Sequence, residues 1–545
     1  MRWLLPILSM IAAMGLRAAT GEEEVGSKTC GSCHAEIYRT YSATSMARSS
    51  GRVGEGAFVE SFDRAHFSDP ASGADYRVSL SAEGYRLEFS RESASVRGER
   101  ILRWFVGSGR VARSYVFSLD GFLFQAPVSY YTRSAKWDIS PGYEQHSFIN
   151  LTRAVSTKCL QCHASRLQPV AGTEDRFSMP PFLEGGISCE RCHGPGKSHV
   201  AKIIAGDRTG VHEVINPAKL EPARRDSVCA QCHLTGAARV PRARATHAAY
   251  RPGELLSDYT AYFVWTGAGS SKLSANSHFE KLQQSACKRA SGDRLWCGSC
   301  HDPHSEPEAA ARVEFYRARC RKCHDSAACE ETLAIRRKAQ DDCIACHMPK
   351  SQVRETEHAV FTDHSIPRRS PRSAGSPAAG SSLEPFWQRP VDKRDLGLAY
   401  AAVADDDSTL RRRALELLQK AAARDAEDLT VLAQLAQLYE AAGQEEQAMA
   451  LSERIIRLDP TQAAVAVNLG TYYIKRGRTQ EAMRLWNDAL LRNPALTGAR
   501  VNLAVAQYRA GDAGAAEATL RRALQYDPDH ETARKLLEEI GAKRR

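Results

Sequence analysis

Fourteen of the chain's 16 cysteines fall into seven copies of the pentapeptide CxxCH. They are CGSCH at Cys30, Cys33 and His34, CLQCH at Cys159, Cys162 and His163, CERCH at Cys189, Cys192 and His193, and CAQCH at Cys229, Cys232 and His233. A second CGSCH stands at Cys297, Cys300 and His301, followed by CRKCH at Cys320, Cys323 and His324 and CIACH at Cys343, Cys346 and His347. With 16 Cys and 17 His in 545 residues, chance supplies on the order of 0.01 such motifs. Two thiols three positions apart can form thioethers with the two vinyl groups on one porphyrin edge. The adjacent His then lies beneath the iron. The pattern therefore predicts seven covalently attached c-type haems, bound through the fourteen cysteines, with the seven motif histidines as proximal iron ligands. Paired CxxC units also build zinc sites, but zinc does not require a His directly after every second Cys.

The sixth ligand decides what each haem does: a second protein ligand makes an electron carrier, and an open position admits substrate. Removing the seven proximal histidines and His530 from 17 leaves nine: His66, His146, His199, His212, His247, His278, His304, His358 and His364. Nine candidates for seven irons favour electron transfer over catalysis. His212 and His247 are the weakest of them. The stretch YSATSMARSS, behind the first motif, offers Met46 where a His would serve. Its thioether either binds that iron, raising the potential, or fills the core.

Some candidates stand in recurrent contexts. CERCHGPGKSHV places His199 shortly after His193, CGSCHDPH places His304 after His301, and His347 opens CHMP. These pieces, over roughly residues 26 to 365, resemble the multihaem cytochromes related to nitrifier tetrahaem carriers, pentahaem nitrite reductases and hydroxylamine oxidoreductases. The resemblance implies that His199 and His304 bind irons of neighbouring haems, and that the haems stack closely enough to conduct. His278 in NSHFEKL and His364 in FTDHSI sit in similar local contexts, with His66, His146 and His358 next. Two departures count against transferring the enzymatic activities: there is no CxxCK, and the motifs number seven where hydroxylamine oxidoreductases have eight. A reductase of small nitrogen or sulfur substrates with one open-site haem is the alternative.

The net charge of +10 invites a nucleic-acid reading, which its distribution opposes. Residues 395 to 545 carry 21 Lys and Arg against 22 Asp and Glu, so the excess lies in the cysteine-rich part. Haem propionates want Arg or Lys partners. The basic balance is therefore internal compensation, and no nucleic-acid partner is expected. The first 21 residues read as a signal peptide, with Arg2, an apolar run from Trp3 to Leu16 and small residues from Ala18. That run is short for a bilayer span, so an exported, periplasmic or cell-surface protein without a transmembrane segment is expected.

The fold class predicted is mainly α: a loop-rich haem domain over 22–365 with a small antiparallel β insertion at about 58–135, a linker, and an α-helical repeat solenoid. The insertion follows from the alternation in DYRVSLSAEGYRLEFS and in RSYVFSLDGFLFQAPVSYY, whose Asp120 and Gly121 read as a tight turn. About 45 residues per motif between Cys30 and His347 are too few for a separate apolar core around each haem, so the porphyrins must supply much of it. Residues 366–392, rich in Pro, Ser and Gly, read as the linker.

From 393 to 545 a period of 34 emerges: Gly443, Gly477 and Gly511; Leu435, Leu469 and Leu503; Ala448, Ala482 and Ala516; Pro460, Pro494 and Pro528. These segments resemble tetratricopeptide (TPR) repeats, which implies paired helices and a docked protein or peptide. Redox proteins are the other expected partners. The two remaining cysteines, Cys287 and Cys329, are expected to form a disulfide.

Overall fold

The computed structural model describes residues 23–56, 58–243, 245, 247–266, 278–325, 329–353, 356–368, 382–387 and 389–544. The signal-peptide reading and most of the linker lie outside them. Helix accounts for 46% of the molecule, beside sixteen strands in five antiparallel sheets among the described residues. "Mainly α" thus understates the β content, because short strands such as Ser50–Arg52 and Lys136–Ile139 leave little alternation to read.

The β insertion is a sandwich. One sheet joins β2 (His66–Asp69), β3 (Ala74–Ser81), β4 (Gly84–Arg91) and β5 (Val96–Leu102). The other joins β1 (Ser50–Arg52), β6 (Trp104–Val106), β7 (Ala112–Leu119), β8 (Phe122–Tyr131) and β9 (Lys136–Ile139). Alternation decides what each buries: Tyr76, Val78, Tyr85, Leu87 and Phe89 from one sheet meet Tyr115, Phe117, Phe124 and Trp137 from the other in a single core. At the β7–β8 hairpin Leu119 faces Phe122, and Asp120 and Gly121 both take positive φ, 54° and 83°. That is the backbone a two-residue hairpin turn needs.

Smaller sheets flank the haem motifs: β10 (Ala164–Pro169) with β11 (Phe177–Gly185), and β14 (Lys350–Val353) with β15 (Thr356–Thr362). A third joins β12 (Ala238–Pro241), β13 (Thr260–Trp265) and β16 (Leu383–Pro385). The last of these strands lies inside the stretch read as linker.

Nine helices build the repeat region: α1 (Lys393–Val403), α2 (Ser408–Arg424), α3 (Leu429–Ala441), α4 (Glu445–Leu458), α5 (Ala463–Lys475), α6 (Thr479–Arg492), α7 (Thr497–Arg509), α8 (Ala513–Tyr526) and α9 (Glu531–Arg544). The periodic glycines Gly443, Gly477 and Gly511 end α3, α5 and α7 at φ of 71°, 74° and 88°, a conformation that favours glycine. Gly470 lets α5 meet α6: a Cβ there would stand 2.5 Å from Trp486 Nε1.

The array lies against its own haem region. At its start, Leu398 and Ala399 share a core with Val240, Phe263 and Leu383, and Arg242 pairs with Asp395 at 2.5 Å. Midway, Glu174 accepts from the Ala463 backbone N–H at 3.0 Å. At its end, Tyr526 enters the sandwich core, and Asp120 bonds both Tyr526 and Arg522. The latter two contacts come from helix ends, the start of α5 and the last turn of α8, which places one edge of the array along the cysteine-rich half.

Candidate haem-attachment site

Each CxxCH begins or ends a short helix, and backbone geometry explains why the spacing serves. The N–H of His34, His193, His301 and His324 donates to the carbonyl of the first cysteine of its own motif at 2.9, 3.0, 2.9 and 3.0 Å. One helical turn thus carries both thiols and the imidazole on a common side.

Cysteines of different motifs meet. The Cys30 thiol is coupled electrostatically to that of Cys189, Cys162 to that of Cys232, Cys229 to that of Cys297, and Cys320 to that of Cys343. Cys192 lies within electrostatic reach of Cys229, and Cys300 of Cys323. These proximities bring all seven motifs into one connected group, with the second motif set beside the fourth rather than between the first and third.

Imidazoles pair as well. His193 and His304 have centroids 5.8 Å apart and nearly parallel planes, at 10°. His301 and His364 stand 6.2 Å apart at 27°, and His233 and His278 5.3 Å apart at 84°. Two imidazoles on opposite faces of one iron, each with a metal–nitrogen bond of about 2 Å, place their centroids about 6 Å apart. The three separations fall within an ångström of that value. His278 and His364 are closer, at 4.7 Å, and that gap is too short to hold an iron.

Second partners fix the rings. Nδ1 of His193 donates to the Ile215 carbonyl at 2.6 Å, His199 to Gly210 at 2.8 Å, His364 to Thr362 at 2.9 Å and His347 to Pro367 at 3.1 Å. A carbonyl can only accept, so each bond leaves Nε2 as the ligating atom. Burial also favours the neutral form that ligation requires, pushing His278 down to about 3 and His301 to about 4. His163, His193, His233 and His364 are lowered for the same cause.

Between Arg289 and Lys350 no described residue is buried, although the segment carries three motifs. A large apolar group held by these motifs fits that packing. No cluster of three or more His, Cys, Asp or Glu suited to a metal ion occurs among the described residues; a zinc site would need one, whereas a porphyrin brings four ligands of its own.

Comparison with known families agrees with the geometry. The model of the doubled CXXCH motif matches residues 289–329, that of cytochrome c554 and c-prime residues 132–194, and that of the tetratricopeptide repeat residues 411–470 and 473–540. The chain is a multihaem c-type cytochrome with a TPR region. No curated protein matches it. Solved structures similar to part of the cytochrome include two of MamA. One is 17% identical over 26% of this chain and 83% of that one, with a TM-score of 0.25. The other is 24% identical over 28% and 88%, also at 0.25.

Other residues singled out by sequence fall differently in the cytochrome. His247 has both ring nitrogens engaged, Nε2 with the Gln231 carbonyl at 3.0 Å and Nδ1 with Thr260 Oγ1 at 3.3 Å. His146 Nε2 accepts from the Asn150 side-chain amide at 3.2 Å. His66 is exposed on β2, an edge strand of the sandwich, and His212 is exposed in a short turn of helix. The backbone of His358 lies on β15, and its side chain is outside the described residues. Met46 is half-buried in the turn after the first motif, where its carbonyl accepts from the Ile187 N–H at 3.0 Å.

The expected disulfide is absent, as Cys287 and Cys329 are both free. Their surroundings differ: Cys287 is half-buried on the helix Ala286–Ser291 beside Cys300 and Cys320, and Cys329 is exposed near Arg336.

Two residues at the site carried no usable signal in sequence. Glu190, a variable position of CERCH, accepts backbone N–H bonds from Val25, Gly26 and Gly196 at 2.8, 2.9 and 2.8 Å. It ties the first motif's helix to the third. Tyr41 packs edge-on against His304 with centroids 6.4 Å apart, its hydroxyl bonded to the Ile187 carbonyl at 2.7 Å.

Proposed function

We propose that the chain is an exported heptahaem electron carrier, acting in the periplasm or at the cell surface and related to the nitrifier group of multihaem cytochromes. The observation that carries this reading is the gathering of the motifs, with their thiols coupled in pairs and three motif imidazoles each facing a second imidazole. A bound haem supplies one-electron Fe(III)/Fe(II) chemistry; the chain's part is to hold neighbouring sites in close order and to set their potentials through ligands, burial and charge.

His304 would serve with His193, His278 with His233, and His364 with His301, as the two protein ligands of one bound haem. His199, fixed by Gly210 with Nε2 free, is the next distal candidate for an adjacent site. Met46 and His358 remain for the others. Both ring nitrogens of His247 serve the fold; His146, His66 and His212 stay as candidates for the seventh site. Distal protein ligands leave no place for substrate, which favours carrier over reductase.

Partners follow from the two halves: redox proteins for the haem region, and a protein or peptide for the TPR region. One edge of the array is taken by the chain's own haem region. The face between α3 and α5, with Ala433, Gln437, Glu440, Ala464 and Asn468, is the surface left to a partner.

The test is haem content and redox behaviour of the purified, matured protein. A pyridine haemochrome assay should return seven haems per chain, and a visible-region titration should show every haem reducible by a one-electron donor. Fewer haems, or a fraction that electrons do not reach, would defeat the reading.

A further inference from the structure

Three charged side chains are buried where the fourth and fifth motifs meet. Arg225 and Asp226 lie on the helix Pro222–His233, which ends in CAQCH, and Lys288 lies on Ala286–Ser291, just before the second CGSCH. Arg225 Nε stands 3.1 Å from Asp226 Oδ1, and Lys288 Nζ stands 3.8 Å from Asp226 Oδ2. Exposure of the three side chains is 10%, 11% and 7%. Two cations against one anion leave the buried group with a charge of +1.

The neighbours do not cancel it. Arg225 donates to the Asp293 carbonyl at 3.1 Å and lies over the Trp296 ring at 4.8 Å. Lys288 Nζ donates to the Leu295 carbonyl at 2.9 Å. The other carboxylate near Lys288, that of Asp293 at 3.8 Å, is 73% exposed and screened by solvent. Both Asp226 and Lys288 act electrostatically on Cys297, whose thiol is coupled to that of Cys229. The cluster thus sits at the point where the two motifs touch.

We propose that Lys288, with Arg225 and Asp226, is a potential-setting cluster that makes the junction of the fourth and fifth sites an electron-attracting point in the chain. Reduction adds one electron and no proton to a ferric site, lowering its charge by one. A buried cation at that junction stabilises the reduced state, and the low dielectric around it strengthens the effect. The direction is the same whether the cation faces iron or a propionate. The inference rests on the carrier reading, because it requires haems at Cys229–His233 and Cys297–His301.

The experiment is a potentiometric titration of the matured, full-length protein and three variants. Lys288→Met removes the cation and should move at least one midpoint to lower potential by about tenfold in equilibrium constant, about 59 mV for one electron. Lys288→Arg keeps the charge and should restore the wild-type midpoints. Asp226→Asn removes the anion and should move a midpoint the other way. Opposite shifts from the two neutralising variants are not what a loss of packing would give. Unchanged midpoints in Lys288→Met, or shifts of the same sign in both, would overturn the proposal while leaving the carrier reading intact. Absence of titrating haem at either motif would instead overturn the carrier reading.

Discussion

The carboxylate of Asp529, in the loop between α8 and α9, pairs with Arg91 of β4 at 2.7 Å and is fully buried. It also accepts the Ile149 backbone N–H at 2.9 Å. A buried carboxylate is tolerable only when paired and hydrogen-bonded. Here the sandwich supplies one partner, the chain leading to the second motif another, and Arg534 of α9 a third at 3.5 Å. Sandwich and array are therefore expected to unfold as one unit. Asp529→Ala leaves Arg91 without this partner and should destabilise both by about 3 kcal/mol. Denaturant unfolding of the matured protein checks this, with helix and aromatic signals followed together; separate transitions in the wild type would contradict it.

Inside the array the limiting contact is steric. Since a Cβ at Gly470 would stand 2.5 Å from Trp486 Nε1, Gly470→Val should cost about 1–3 kcal/mol through overpacking. The readout is the unfolding midpoint of the helical signal. Gly498, whose added Cβ meets nothing within 4 Å, provides the control as Gly498→Ala.

The contact between the hairpin tip and α8 should depend on pH. Burial alone would raise the Asp120 carboxyl, but hydrogen bonds from Tyr526 and Arg522 outweigh it and hold the group below its ordinary value. A depressed folded pKa means that the stabilisation is present above the unfolded value of about 3.9 and is lost as pH falls through the folded one. The stability difference between wild type and Asp120→Asn, measured across acid pH, should shrink below about pH 4. A constant difference would show that the carboxylate does not carry the contact.

Removing a distal imidazole should change the spin state at one site. His304→Ala and His364→Ala are each expected to turn one low-spin haem high-spin and able to bind carbon monoxide. His247→Ala should leave every spin state unchanged, because both its ring nitrogens serve the protein. Visible spectra with and without carbon monoxide distinguish these outcomes.

How much of this was legible in the sequence depended on the kind of regularity involved. The hairpins were readable because alternation in Tyr76–Val78 and Tyr85–Phe89 is a strict period of two. The repeats were readable because Gly443, Gly477 and Gly511 mark the same helix end every 34 residues. Strands of three or four residues, such as β1 and β16, leave no period to detect. The pairing of His301 with His364 joins residues far apart in sequence, and no local pattern encodes it. The same holds for Cys287 and Cys329, where compartment chemistry favoured a bond and the fold set the two in unlike surroundings. The attachment of the array was also invisible, since Asp529 and Tyr526 look like ordinary repeat positions until their partners are known.

The most direct test of the account is low-temperature electron paramagnetic resonance of the fully oxidised, haem-loaded protein, with iron quantified in the same sample. Carrier function predicts seven irons per chain, all low-spin, and a spectrum unaffected by nitrite or hydroxylamine. A substantial high-spin signal that shifts when either is added would contradict it and assign the chain an open, substrate-binding haem.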